Sequence, residues 1–126
     1  MIDIEKQIRY WREGSLEEWQ VTKDLLAKKH VRQALFWAHL TLEKMLKAHV
    51  CKHTRDLAPR SHNLAHLGHL AELDLTPEQI KFLLTMNEFN MEGRYPEHQP
   101  PIPEANEVKD MMRHSEELLT WLTKKL

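Results

Sequence analysis

Apolar residues recur at intervals of three and four along the chain, the spacing of an α-helix, and turn-forming residues divide the pattern into five segments. The first spans about Ile4 to Lys28, with Ile4, Ile8, Trp11, Trp19 and Leu26 on or near one stripe. Gly14-Ser15 interrupts it, and Ser15 with Glu18 reads as a capping box, where a helix can restart. The stripe keeps its phase across Gly14, so one long helix with a weak point is predicted. The second segment spans about Val31 to His53. Ala34, Leu35, Ala38, Leu42, Met45 and Leu46 keep the helical spacing there, while Phe36, Leu40 and Val50 widen the apolar surface. One partner helix cannot cover that width. The segment is expected to be central, or to meet a second subunit as well.

A polar loop from Thr54 to about Ser61 follows, and His62 to Leu73 reads as a short helix carrying Leu64, Leu67, Leu70 and Leu73. The next junction is clear: Thr76 as N-cap, Pro77 at the first helical position and Gln79 completing a capping box. The fourth helix is predicted to place Ile80, Leu83, Leu84, Asn87 and Met91 on one stripe and to end in Gly93 to Pro103. The fifth spans about Glu104 to Lys125, with Val108, Met111, Met112, Ser115, Leu118, Leu119 and Leu122 inward. Lys124 and Lys125 suit the negative end of that helix. The expected fold is all-α, an up-and-down bundle of four to five helices in a single domain over residues 1–126.

Composition agrees. With 41% hydrophobic and 29% charged residues, the chain has the balance of a globular protein rather than of a disordered or membrane one. The formal net charge is −1, which gives no overall pull toward nucleic acid or anionic lipid. Nine histidines would make the protein cationic near pH 6. The single cysteine, Cys51, excludes an internal disulfide and reads as a small apolar residue near a helix end. The start of the chain is too charged for an export signal, and no stretch has the length of a membrane span, so a cytoplasmic protein is expected.

The segment from Asn87 to His98 gathers two amides, acids, Arg94, Tyr95 and His98 at a helix end and the loop beyond. If the helix reaches that far, Asn87, Met91 and Arg94 share a face. Arg94 can then hold a phosphate through paired N–H donors, with His98 moving a proton. The alternative is that Arg94 caps carbonyls and pairs with Glu88 or Glu92, while Pro96 only stops the helix. His49 and His53 stand four apart, as do His62 and His66, with His69 three further on. Such spacing puts imidazoles on one face, as zinc sites require, but no HExxH pattern or cysteine pair accompanies it. No bound metal and no cofactor are expected. Lys47, Lys52, Arg55, Arg60 and His62 form a modest basic cluster that can attract phosphate, or be an ordinary solvated surface. The four tryptophans read as core or interface residues. There is no Gly-rich phosphate loop, nucleophile elbow or clear helix-turn-helix signature.

Three segments together resemble the HEPN domain family. They are Tyr10-Trp11 leading into a long helix that ends Asp24-Leu25-Leu26-Ala27; Ala34 to Ala48, with its Glu43-Lys44-Met45-Leu46-Lys47-Ala48; and Pro59 to Leu64, followed by Leu84 to Phe89 and Gly93-Arg94-Tyr95-Pro96. The order and the Arg-Tyr-Pro ending are similar to small stand-alone prokaryotic members. The resemblance implies a helical bundle that forms a homodimer. It also implies a place beside a minimal nucleotidyltransferase in a toxin–antitoxin pair. Active toxin members are metal-independent ribonucleases that use, at the dimer cleft, an Arg followed by four to six residues and then a His. Here Arg94 and His98 are separated by only Tyr95, Pro96 and Glu97, a departure from that motif.

Three readings follow. The chain is a nucleotide- or RNA-binding partner of a nucleotidyltransferase, with Asn87, Arg94, Tyr95, Lys47, Arg60 and His62 as binding residues. Alternatively it is a ribonuclease using Arg94 and His98 across a homodimer, or a non-catalytic dimerisation module.

Overall fold

The computed structural model describes residues 1–90 and 94–126, and these form five α-helices with no strand among them. They are α1 (Ile4–Ala27), α2 (Val31–Thr54), α3 (Leu64–Leu70), α4 (Pro77–Met86) and α5 (Ala105–Lys125), with single 3-10 turns at Asn87–Phe89 and Pro96–His98. Met91, Glu92 and Gly93, all used in the expectations above, lie outside the described residues.

The Asp3 carboxylate starts α1 by accepting the Lys6 N–H at 3.0 Å. The helix then runs without a break through Gly14. What the Gly14-Ser15 pair supplies is a close approach to α2. The Ser15 hydroxyl donates to the Thr41 carbonyl at 2.6 Å, and a Cβ on Gly14 would stand 3.3 Å from Lys44 Cδ. The bare glycine lets the Lys44 stem lie across α1 and reach Glu18 at 2.6 Å. Lys29, at φ 65°, turns the chain back into α2. Contacts Glu5–Arg55, Trp11–Lys47 and Ser15–Thr41 descend along one helix as they ascend the other, so α1 and α2 form an antiparallel hairpin.

α2 is the centre of the bundle, with fourteen of its 24 residues buried, including Leu35, Leu42, Met45 and Leu46. α1, α3 and α5 all pack on it. α5 runs in the same direction as α2, since His49 meets Leu122 and Lys52 meets Lys125 and Leu126. Cys51 is buried near the end of α2, and desolvation pushes its thiol up, which fits a packing role.

Two expectations are corrected. The third helix is shorter than predicted, because Glu72 takes a left-handed φ of 51° and the chain turns so that Leu73 and Leu75 can pack on the core. The fourth ends at Met86, well before Gly93, and its inward side chains are Leu83 and Met86, with Phe89 in the turn beyond. Ile80 and Leu84, assigned to the inner stripe from sequence, are exposed instead. No helix among the described residues is long and apolar enough to cross a membrane.

Candidate functional site

The polar residues His39, Glu43 and Lys47 stand at i, i+4 and i+8 on α2, and all three are buried. Glu43 Oε2 accepts from Lys47 Nζ at 3.1 Å, with the two side chains only 6% and 7% exposed. Lys47 Nζ also lies 5.1 Å from the centre of the Trp11 ring, so the cation is held between a carboxylate and an aromatic face. Glu43 Oε1 accepts from His62 Nδ1 at 2.9 Å. His62 is clamped a second time through its own carbonyl, which accepts from His39 Nε2 at 3.0 Å. Because a carbonyl can only accept, Nε2 carries the His39 proton and Nδ1 presents its lone pair, 3.8 Å from Glu43 Oε1. Burial lowers the His39 pKa; the Glu43 carboxylate and the hydrogen bond to the His62 carbonyl oppose that shift, and the charges of His62 and Arg94 add to it.

From His62 the contacts pass to the end of α4. Asn63 caps α3 by accepting the His66 N–H, and its Oδ1 also accepts from Asn87 Nδ2 at 3.0 Å. The other end of the Asn87 amide accepts the Leu64 N–H at 2.8 Å, so Asn87 joins α4 to the start of α3. The Asn87 carbonyl in turn accepts from Arg94 Nη2 at 3.4 Å, while Arg94 Nη1 donates to the His98 carbonyl at 3.2 Å. The 3-10 turn Pro96–His98 makes that second contact by folding His98 back toward Arg94. Tyr95 and His98 are exposed, their rings meeting edge to face at 6.4 Å.

The structure therefore brings Lys47, His62, Asn87 and Arg94 into one chain of contacts, joined through Glu43 and Asn63. Arg94 does not continue the stripe of α4, as the expected longer helix required. It reaches Asn87 from the loop instead, and the Arg94–His98 contact runs through the main chain. Arg60 is exposed and outside this group. The rest of the expected basic cluster is dispersed: Arg55 pairs with Glu5 at 2.8 Å, and Lys52 donates to the carbonyls of Lys125 and Leu126. The histidines are divided too. His49 is buried against the Leu122 carbonyl, and His53 pairs with Glu72. Among the described residues no group of three or more His, Cys, Asp or Glu side chains is placed to hold a metal ion.

Sequence reasoning gave no site role to His39, Trp11 or Asn63. The signal for the first was present. Three polar residues four apart on a helix whose apolar surface is too wide for one partner mark a polar line through the core, and such a line needs partners.

The fold defines an all-α bundle protein built on a central buried helix. The sequence matches the HEPN domain over residues 8–126, and the chain belongs to that family. Among solved structures it is similar to the crystal structure of TT1696 from Thermus thermophilus, with a TM-score of 0.75 and 21% sequence identity. That match covers 95% of this chain and 98% of the other, and it shows the shared fold. No curated protein matches the sequence.

Proposed function

We propose that this chain, as one HEPN unit, binds a phosphate-bearing ligand, a nucleotide or an RNA strand, at the surface around Arg94. On this reading it acts as the partner of a minimal nucleotidyltransferase in a toxin–antitoxin-like pair. Membership of the HEPN family supports a nucleotide- or RNA-related role. The observation that carries the reading is the set of contacts aiming Arg94. Two main-chain carbonyls hold its guanidinium, and Asn87 ties that position back to the buried Glu43–Lys47 pair. A buried ion pair is a poor way to stabilise a core, since taking both charges out of water offsets much of their attraction. Its presence beneath a positioned Arg fits a site whose charges are fixed in advance of a ligand. Tyr95 adds an exposed ring on which a base can stack.

The test is titration of AMP, ATP and a short single-stranded RNA into wild type and Arg94→Ala, followed by NMR. Saturable shifts around Asn87, His62 and Tyr95 are expected in the wild type, weakened at least about ten-fold in the variant, as loss of a charge-assisted contact implies. Wild type that gives no saturable shift with any of the three would leave only a packing module.

A second reading has its own support. The Pro96–His98 turn brings the main-chain carbonyl of His98 to the Arg94 guanidinium, and Phe36, Trp37 and Leu40 are half-buried on the flank of α2, a surface suited to a second copy. In that reading a homodimer cleaves RNA without metal, Arg94 stabilising the charged transition state and His98 transferring the proton. Cleavage in excess chelator, abolished by Arg94→Ala and His98→Ala with dimer mass unchanged by light scattering, is the expected result. An unaltered rate in both variants would remove this assignment.

A further inference from the structure

A cavity of about 460 Å³ opens between residues 78–82 of α4 and residues 114–121 of α5. Phe82, Leu118 and Trp121 form its apolar walls, and His114 closes one side, its ring edge-on to Phe82 at 5.6 Å. The polar side is acidic. Glu78 and Glu117 both line the cavity, and no Lys or Arg does. Rings and carboxylates around one concave space make a setting for an organic cation: the rings offer negative π-faces to the charge and the acids neutralise it.

The chain itself shows that these groups attract cations. Lys125 Nζ sits 4.9 Å from the centre of the Trp121 ring, and Arg113 Nη1 lies 3.3 Å from Glu117. Neither cation lines the cavity, and both are on exposed side chains. Contacts of that kind are weak and readily exchanged for a better-fitting cation. The volume falls within the ordinary range for small-molecule sites.

We propose that this cavity is a binding site for a small organic ammonium carrying a flat apolar group. The flat group lies between Phe82 and Trp121, and the ammonium faces Glu78 and Glu117. The site is independent of the reading given to Arg94.

Benzylammonium is the probe, with benzyl alcohol as its uncharged counterpart of nearly the same shape. Titrated into the intact protein at pH 7.5, benzylammonium is expected to shift the Trp121 indole and His114 ring resonances saturably, with a Kd of about 1 mM, ordinary for a fragment of its size. Benzyl alcohol should bind at least about ten-fold more weakly. The doubly substituted E78Q/E117Q protein keeps both side-chain shapes at exposed positions, so it should fold normally and lose benzylammonium affinity by a similar factor. Equal binding of the two probes, unchanged affinity in E78Q/E117Q, or no saturable shift in the wild type would each overturn the proposal.

Discussion

Lys47 shows how a residue's role is set by what surrounds it. In the sequence it is one of several lysines; in the structure it is buried between Glu43 and Trp11. Removing one member of such a pair leaves the other charged and unmatched in the core. Glu43→Ala should therefore lower stability by about 3–5 kcal/mol, whereas Glu43→Gln combined with Lys47→Met should recover most of the loss. Urea midpoints for the single and double variants decide this; a loss in the double variant as large as in the single would show that the charges themselves are needed for folding. At this scale the candidate site was half legible. Arg94, His98, Asn87 and Tyr95 stand in one short stretch rich in functional groups, and that clustering is visible along the chain. The link from His62 to Glu43 and from Asn63 to Asn87 was not legible, because it joins residues about twenty positions apart through the packing of α3.

Among the elements, α4 carries the clearest local signals and the largest misreading. Its start matches the sequence pattern: Thr76 accepts the Gln79 N–H at 3.1 Å and the Gln79 side chain accepts the Thr76 N–H at 2.9 Å. Thr76→Ala should cost about 1 kcal/mol of stability, read as a lower melting or urea midpoint with the fold retained. An unchanged midpoint would mean that tertiary packing alone holds the helix start. Its end departs from the pattern for a physical reason. The apolar period continues past Met86, but the Asn87 side chain is engaged with the Leu64 N–H at the start of α3, and the chain tightens there into a 3-10 turn. A constraint imposed by another helix leaves no mark in local spacing. Gly14 is the reverse case. A helix-weakening residue proved to be the place where the Lys44 stem of α2 lies across α1, which only their pairing reveals.

For the molecule as a whole, the central position of α2 was legible from the width of its apolar surface. That width also encloses two histidines, His39 and His49, each donating to a carbonyl and each with its pKa lowered chiefly by burial. An unfolded chain protonates both near the ordinary value of about 6.5, while the folded chain resists until lower pH. Between those limits the unfolded state binds more protons. Stability should be full above about pH 6.5 and fall as acid is added through that value toward the depressed folded pKa values. Urea midpoints at pH 7.5 and 5.5 check this, and His49→Gln should flatten the dependence. A midpoint that rises on acidification would contradict it.

The anchors of Arg94 are main-chain oxygens of Asn87 and His98, not side-chain groups. Exchanging the imidazole at position 98 for a methyl group therefore leaves the guanidinium's direction intact, and a rate lost in that variant can be charged to missing proton transfer. Pro96 is different: it shapes the bend itself, so replacing it would misdirect the cation although no reactive side chain had been removed.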